Sequence, residues 1–457
     1  MTTFKILAIL VLAVLVTNAR AHAQGYGLYE QGTCAMGRAG AGVAAPCNDG
    51  SAIFFNPAGL ALETAAVVSA EITGVAPRGT FTNSTTSLVS TLNDRTVPVP
   101  AAYGAVPIGR HAVVGVGVFA PYGLATDWPN TSEGRFLGYF SSIKTFYVQP
   151  TIAASLGSHL LVGGGVDVTH TSLELRRRVD LSTLPIAGTP VTFGALGVPR
   201  GTDFADIDLT GSGNHVGGHV GVIVKATDQV SFGARYLFRQ QIEITNGNVA
   251  TTQIPTNLVL RVPLPGLPAG GVPVDAVVSP VFGSGGALSN QTATTALPLP
   301  DQFVVGVAIS PTQKFKLLAD YQRTHWSVFD TITIVNQFAP ATVLVESYGD
   351  TDGVRVGGEY SVGGAIVRAG FDVHTAGAPD QSVTPLLPEA ARKEVAAGIT
   401  LPLGSSTRID FAYLFVNQSD RAGRSTDGGL AVPTTAVNNG TYHYYGNLFS
   451  AGFTVHF

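Results

Sequence analysis

From residue 65 to the C-terminus, short segments of the chain alternate apolar and polar positions with a period of two. In the last segment Phe449, Ala451, Phe453, Val455 and Phe457 share one face, and small or polar residues occupy the other. This period predicts β-strands that have one apolar face. The pattern predicts fourteen strands, over residues 65–73, 98–107, 111–120, 144–156, 159–173, 214–226, 229–245, 301–310, 313–335, 352–362, 364–374, 392–402, 406–418 and 447–457.

The connections between these strands alternate strictly between short and long. Turns of about one to three residues alternate with connections of about 16 residues or more, as in outer-membrane barrels that have short periplasmic turns and long external loops. A water-soluble sandwich shares the period of two but has no reason to alternate its loop lengths. The sequence therefore predicts an all-β, transmembrane, antiparallel β-barrel over residues 63–457, with its longest external loops at 174–213 and 246–300.

The composition agrees with this fold class. The chain is 45% apolar and only 12% charged, against roughly 25% charged residues in an average soluble domain. Beyond the N-terminus, no stretch approaches the roughly 18 consecutive apolar residues that a membrane-spanning helix needs. The net charge of −4 without a dense basic cluster argues against a nucleic-acid partner.

The N-terminus has the features of an export signal. Lys5 precedes an unbroken apolar run over 6–16, and Ala-His-Ala at 21–23 supplies a small-x-small cleavage pattern. We expect a signal peptide at 1–23 that is cleaved before Gln24. A retained membrane anchor is the alternative, but the apolar run is too short to span a bilayer.

Residues 24–62 precede the first strand and lack its alternation. Fourteen strands enclose a lumen that strand side chains alone cannot fill, so we expect this segment to form a plug, or hatch, inside the barrel. A disordered periplasmic tail is the alternative, although the adjacent Phe54 and Phe55 argue against a solvated tail. Cys34 and Cys47 are the only cysteines; outside the cytoplasm we expect a disulfide, with two free thiols as the alternative.

Several short motifs, in order along the chain, resemble the FadL family of outer-membrane transporters for long-chain fatty acids and other hydrophobic molecules. Gly-Arg-Ala begins at Gly37, and Asn-Pro-Ala occupies 56–58, as in the hatch of that family. Further matches are Pro-Tyr-Gly-Leu at 121–124, Leu-Pro-Asp at 299–301, His-Trp-Ser-Val-Phe at 325–329 and Arg-Ala-Gly-Phe at 368–371. The Pro-Glu-Ala-Ala-Arg run at 388–392 departs from the Pro-Asp-x-Asp-Arg that is more frequent in the family.

The resemblance implies outer-membrane uptake of a hydrophobic ligand, and the sequence shows no nucleotide site or energy-coupling motif, so we expect this uptake to be passive. External loops would capture the ligand, a lumen pocket gated by the hatch would hold it, and a defect in the wall would release it into the membrane. The hatch residues that this implies for the ligand path are Phe54, Phe55, Asn56, Pro57 and Ala58.

A lateral gap in the barrel wall needs a strand that cannot form all of its backbone hydrogen bonds to the neighbouring strand. Pro98 and Pro100 lack the backbone donor, and Gly115 and Gly117 loosen the next strand, so these four residues are candidates for the gap. Ordinary edge or turn positions are the alternative interpretation.

Two external loops carry candidate binding chemistry. Loop 246–300 has only Arg261 and Asp275 as charged residues, so it is a candidate landing surface for apolar molecules or a loop packed on its neighbours. In the first loop, Arg176, Arg177 and Arg178 could hold a fatty carboxylate. Contacts to lipopolysaccharide phosphates or to nearby acidic residues are the alternative for these arginines.

The chain shows no phosphate-binding loop, nucleophile elbow or zinc-protease motif. We therefore expect no catalytic residue, no cofactor and no metal. The expected partners are a hydrophobic ligand, outer-membrane lipid and lipopolysaccharide, and the expected state is a monomer. A general water-filled porin is the main alternative, and an outer-membrane lipid-hydrolysing enzyme is a weaker one. The choice between fatty acids and aromatic hydrocarbons stays open.

Overall fold

A computed structural model describes residues 25–457 except 30, 187–188, 262–270 and 424–437. The predicted signal peptide and its cleavage site lie outside the described residues. Within the described part, no helix combines the length and apolar character needed to cross a membrane.

Fourteen barrel strands follow the hatch. The first seven are β1 (Val67–Asn83), β2 (Val97–Ile108), β3 (Ala112–Asp127), β4 (Phe140–Leu156), β5 (Leu160–Asp180), β6 (Asp203–Lys225) and β7 (Val230–Leu237 with Gln240–Gln253). The second seven are β8 (Gln291–Leu299 with Gln302–Thr312), β9 (Phe315–Thr324 with Thr331–Asn336), β10 (Thr342–Val345 with Thr351–Val362), β11 (Ala365–His374), β12 (Arg392–Pro402), β13 (Thr407–Gln418) and β14 (Gly440–His456). The strands pair antiparallel in chain order, and β1 also pairs with β14, which closes the barrel.

The predicted fourteen-stranded antiparallel barrel is confirmed, and each predicted strand coincides with one of these. Short turns join the strands at one end of the barrel, the turn end, and long connections lie at the other, the loop end. The strands extend further toward the loop end than predicted. Strand β5 ends at Asp180 and β6 begins at Asp203, so the connection is 181–202 rather than 174–213. Likewise, the connection between β7 and β8 is 254–290 rather than 246–300.

The two faces of the wall differ as the alternation predicts. Large apolar side chains stand exposed around the outside of the barrel, where a soluble protein would place polar groups. They include Val68, Ile72, Val116, Val148, Ile152, Val166, Val216, Val220, Phe232, Phe303, Tyr360, Phe371, Phe411 and Phe449. This apolar belt fits a barrel that crosses the outer membrane with its strands.

The hatch lies inside the lumen and contacts the wall on several sides. It contains helix α1 (Thr33–Met36), helix α2 (Ala52–Phe55) and a 3-10 turn (Pro57–Leu62). Cys34 and Cys47 form a disulfide across it. The fully buried Arg38 donates to Glu359 of β10 at 3.0 Å, and Glu359 also accepts from Arg368 of β11 at 2.9 Å. The ion pair between Arg38 and Glu359 therefore fixes the hatch to the wall.

Candidate functional site

An interior cavity of about 480 Å³ lies between the hatch and the wall, toward the loop end. Its lining comes from the first residues of the hatch, from strands β1 to β4, β13 and β14, and from the segment before β12 together with the first residue of that strand. Most of the lining is apolar: Tyr26, Leu28, Val75, Pro77, Val97, Val99, Ala120, Leu124, Ile143, Phe146, Leu387 and Leu448. Arg95, Lys144, Glu389 and Arg392 also line it. A mostly apolar cavity with a few charged groups suits a hydrophobic molecule that carries one polar end.

The wall beside this cavity is interrupted. Strands β2 and β3 pair only near their turn, and the register stops where Ala102 lies opposite Val118. Beyond that point, residues 97–101 of β2 and 119–127 of β3 do not pair with each other. Both stretches contribute to the cavity lining. The cavity therefore reaches the one place where these two strands leave the barrel ladder open, which we call the β2–β3 opening.

The opening results from a bend in β3. A bulge at Ala120 and Pro121 shifts the register between β3 and β4, and bulges commonly redirect a strand in this way. The freed edge of β3 then pairs with the hatch. Leu28 N–H donates to the Pro121 carbonyl at 2.8 Å, and Gly123 N–H donates to the Tyr26 carbonyl at 2.9 Å. The start of the hatch thus replaces β2 as the partner of β3.

Charged side chains hold the start of the hatch in this position. Gly25 N–H donates to Oε1 of Glu389 at 3.1 Å, and Nη2 of Arg392 donates to the Gly25 carbonyl at 3.1 Å. Gly25 has a φ of +56°, and a Cβ there would lie 2.7 Å from the ring of Trp326. Only glycine therefore fits at this point. Because Glu389 and Arg392 also line the cavity, the same two side chains border both the cavity and the hatch.

A second break in the wall is closed by close packing. Strands β6 and β7 pair over 219–225 and again over 205–210, but not between these stretches. There Gly213 packs directly against the Glu243 carbonyl, with no room for a side chain. Loss of ladder pairing alone therefore does not open this barrel; the β2–β3 opening also needs the bend in β3.

The four candidate residues for the lateral gap separate into two pairs. Pro98 and Pro100 lie in the stretch of β2 that does not pair with β3, and Pro98 lines the cavity. Gly115 and Gly117 instead lie opposite Ala105 and Tyr103, within the paired part. The expectation that these glycines loosen the same gap is wrong. A Cβ at either glycine would meet Ile53 of the hatch, at 3.2 and 3.1 Å, so they give the hatch room to approach the wall.

The Asn-Pro-Ala segment anchors the hatch on the side of β6. Asn56 Nδ2 donates to the Val43 carbonyl at 2.7 Å and to the Val222 carbonyl at 3.0 Å, and its Oδ1 accepts from Ala58 N–H. Pro57 and Ala58 pack against Gly163 of β5. None of residues 54–58 lines the cavity. These residues position the hatch rather than border the cavity.

The two phenylalanines before this segment connect it to β3. The Phe54 ring lies edge-on to Phe119, with 5.2 Å between ring centroids, and Phe119 directly precedes the bulge. On its other side, the guanidinium of Arg235 lies 4.6 Å from the Phe54 centroid and donates to the Phe54 carbonyl at 2.8 Å. Phe55 packs on Phe54, with centroids 5.1 Å apart.

The three neighbouring arginines of β5 have different surroundings. Arg176 pairs with Glu174 and with Asp208, the latter at 3.2 Å, and Arg178 pairs with Asp206 at 3.7 Å. Arg177 points to the other face of the strand, where no carboxylate of the described residues pairs with it. It lines a second cavity of about 240 Å³, whose lining is mostly apolar and includes Leu175, Ile207, Leu209, Val249, Ile334 and Leu344. Arg176 also lines this cavity, but of the three arginines only Arg177 has no carboxylate partner among the described residues.

Sequence reasoning missed three parts of the site: the cavity-lining residues 25–28, the contacts of Glu389 and Arg392 with Gly25, and the bulge at Ala120 and Pro121. The Pro-Tyr-Gly-Leu motif at 121–124 was a signal for the bulge, because a proline inside an apolar strand indicates a bulge or an edge. The pairing of Glu389 with Gly25 joins residues far apart in the chain and leaves no local pattern.

Comparisons with known proteins agree with this architecture. The family model described as "Outer membrane protein transport protein (OMPP1/FadL/TodX)" matches residues 13–457. A putative outer membrane protein of Neisseria meningitidis is 24% identical over 475 residues, covering 98% of both chains. The long-chain fatty acid transport protein of Salmonella typhi is 21% identical over 418 residues, covering 89% of this chain and 91% of that protein.

Solved structures show the same fold. A crystal structure of a Pseudomonas aeruginosa FadL homologue has a TM-score of 0.76 at 18% identity, covering 96% of this chain and 99% of the other. The toluene transporter TbuX of Ralstonia pickettii has a TM-score of 0.63 at 20% identity, covering 95% and 98%. The chain therefore belongs to the OMPP1/FadL/TodX family of outer-membrane transport proteins, whose barrels carry hydrophobic compounds.

Proposed function

We propose that this protein takes up hydrophobic molecules passively from outside the cell. The molecule binds in the cavity beside the hatch and leaves sideways into the membrane through the β2–β3 opening. One observation carries the proposal: the apolar cavity is bounded by the unpaired stretches of β2 and β3, so it extends toward the surrounding lipid.

Physical chemistry favours this route over release into the periplasm. An apolar molecule gains about 0.8 kcal/mol per buried methylene when it leaves water. Release into the aqueous periplasm would forfeit that gain, whereas release into the bilayer keeps it. Between the cavity and the turn end, the hatch fills the lumen with buried side chains. This filling supports sideways release over a straight path through the barrel, and it argues against a general porin.

The cavity favours a ligand with an acidic head group. Arg392 lines the cavity, and its Nη2 donates to the Gly25 carbonyl, so its guanidinium lies at the cavity wall. A guanidinium binds a carboxylate through two parallel hydrogen bonds. Fatty acids, the substrate named for the Salmonella typhi relative, fit this arrangement better than the toluene named for TbuX. Arg177 in the second cavity supports the same choice as an earlier capture site.

The loop end would face outward, so the long connections would meet the ligand first, and the short turns would face the periplasm. We propose that the barrel works as a monomer without enzymatic activity, in contact with outer-membrane lipid and lipopolysaccharide. The exposed Lys144, beside the opening on the outer surface of β4, is a candidate contact for their phosphates.

A pair of valine substitutions in β2 tests the proposal. Val99 lines the cavity, whereas Val106 stands exposed on the lipid side of the same strand. In a deletion strain, Val99→Trp should lower uptake of labelled oleate several-fold, and Val106→Trp should leave it unchanged at equal amounts of folded protein. Equal uptake by both variants would contradict the proposal. A large steady ion conductance of the wild-type protein in planar bilayers would favour the porin alternative. Growth on fatty acids against growth on aromatic hydrocarbons then identifies the substrate class.

A further inference from the structure

A shallow apolar groove crosses the lipid-facing surface of the barrel next to the β2–β3 opening. It has a volume of about 910 Å³ and runs over β12, β13, β14 and β1 as far as β2. The side chains that line it include Ile72, Phe411 and Phe449, which are 52%, 48% and 59% exposed. The groove therefore lies on the outside of the wall, unlike the interior cavity.

The strand register produces the groove. Pro98 of β2 lies opposite Gly74 of β1, and Gly74 lies opposite Phe449 of β14. Phe449 lies opposite Tyr413 of β13, with 4.9 Å between the ring centroids. In the next row, Ala451 lies between Ile72 and Phe411 in the pairing. Glycine and alanine thus form a low floor between large side chains.

The groove is continuous with the interior cavity. Thr96 and Pro98 line both spaces, so the start of β2 separates the inside of the cavity from the end of the groove. A molecule that passes the unpaired edge of β2 meets the groove next.

Toward the loop end, the opposite side of the opening is polar. There, a surface depression across β4, β5 and β6 is lined by polar groups, including Ser142, Lys144, Ser172, Glu174 and Ser212. A hydrocarbon would lose favourable contacts by moving in that direction. The two sides of the opening therefore differ at this level of the wall, where only the groove side is apolar; nearer the turn end the outer face of β3 to β5 is apolar as well, with Val116, Val148 and Val166 exposed.

We propose that the ligand leaving the cavity turns toward β1 and passes along the groove of Ile72, Gly74, Phe411, Tyr413 and Phe449 before it enters bulk lipid. This inference rests on the proposed function, because the occupant is the ligand that the cavity delivers. Lipid tails are as apolar as the groove, so no hydrophobic gain holds the ligand there. The groove is a transient exit track that guides release, and a lipid acyl chain is the competing occupant.

Photolabelling in cells that express the full-length protein tests the track. The probe is a sixteen-carbon fatty acid with a diazirine near its methyl end, added from outside. We expect adducts on peptides that carry Phe411 and Phe449 several-fold above adducts on the far wall at Val216 and Val220, which are equally lipid-exposed. A diazirine phospholipid should label both regions alike.

A variant with a blocked cavity distinguishes ligand delivered by the cavity from bulk lipid in the groove. In Val99→Trp, fatty-acid adducts on the groove should fall to the level of the far wall, while phospholipid adducts stay unchanged. If groove adducts persist in this variant, the groove holds bulk lipid and the inference is overturned. Labelled cavity peptides over 121–126 without groove adducts would also overturn it and leave the proposed function intact. Absence of both cavity adducts and uptake in the wild type would instead refute the proposed function.

Substitution of the groove floor gives an independent check. Ala451→Phe fills the floor, and Ala154→Phe places the same ring on the outer surface of β4 near the turn end, away from the groove. We expect uptake to fall several-fold only for Ala451→Phe, with both barrels equally heat-modifiable. Equal uptake by the two variants would contradict a role for the groove.

Discussion

The carboxylate of Glu389 accepts a hydrogen bond from the backbone N–H of Gly25, with 3.1 Å between the two atoms. The same carboxylate accepts from Gly377 N–H at 3.1 Å and Ala378 N–H at 2.9 Å. Glu389 thus joins the start of the hatch to the connection between β11 and β12. The hatch residues that follow Gly25 pair with the bent part of β3. The Glu389 carboxylate therefore helps to hold in place the segment that borders both the cavity and the opening.

Glu389→Gln should loosen this segment without affecting barrel assembly. A charged acceptor of backbone hydrogen bonds contributes about 1.5–3 kcal/mol, and glutamine keeps the shape but not the charge. We expect faster hydrogen exchange at the amides of Leu28 and Gly123, which pair hatch and strand. Glu243→Gln, at an exposed site on β7, is the matched control. Unchanged exchange in Glu389→Gln would show that Arg392 and the packing of Tyr26 suffice to hold the segment.

Replacing Asn56 and Pro57 together with alanines should alter uptake while the barrel still assembles. The double variant removes the hydrogen bonds from Asn56 to the Val43 and Val222 carbonyls, so the hatch loses its anchor on β6. The change would reach β3 through the contact between Phe54 and Phe119. Uptake of labelled oleate and heat-modifiability are the two measurements. Loss of the folded, heat-modifiable form would show that the anchor is needed for folding itself.

Arg177→Ala should weaken capture of anionic ligands and leave neutral ones unaffected. A hydrogen bond to a charged group is worth about 1.5–3 kcal/mol, or roughly tenfold or more in affinity. We expect a corresponding rise in the oleate concentration for half-maximal uptake, with no change for toluene. Arg178→Ala is the control, because Arg178 is paired with Asp206 and does not line the second cavity. Equal effects of the two substitutions on oleate would place capture on the outer face of β5.

The sequence predicted the strands well where lipid lies on one side and the lumen on the other. Strand β5 shows where this stops: Val166 and Val168 alternate with polar neighbours, but Glu174 and Arg176 on the same outer face do not continue the apolar pattern. Backbone pairing with β6 nevertheless continues to Asp180. The alternation of apolar residues marks the part of a strand that contacts lipid, not the full length over which the strand pairs. Strand extensions beyond the membrane therefore cannot be predicted from it.

The candidate site was only partly predictable for a related reason. Pro98 and Pro100 mark the opening, since a missing N–H is a property of the residue itself. Gly115 and Gly117 were misinterpreted because their small size serves the approach of Ile53, which only the folded hatch provides. The cavity also depends on Gly25 and Glu389, which are distant in the chain and meet only through the closed barrel.

Glu63 should make the attachment of the hatch sensitive to pH. It lies between the hatch and the first residue of β1, and burial, together with the nearby charge of Asp49, raises its pKa to about 7, against the opposing effect of Arg408. The folded protein thus favours the protonated form, whereas the unfolded chain releases the proton near its usual, lower pKa. The contribution of the Glu63 carboxyl to the stability of the folded protein is therefore present at acid pH and is lost as the pH rises toward and through 7.

The magnitude is at most about 3 kcal/mol, since each unit of pKa corresponds to about 1.4 kcal/mol. We expect the wild-type protein to unfold at a lower temperature at pH 8 than at pH 5, followed by heat-modifiability. Glu63→Gln removes the titrating proton and should flatten this dependence by raising stability at pH 8. Asp94→Asn, at an exposed site before β2, is the control and should keep the wild-type profile. A profile in Glu63→Gln as steep as that of the wild type would assign the pH dependence to other groups in the barrel.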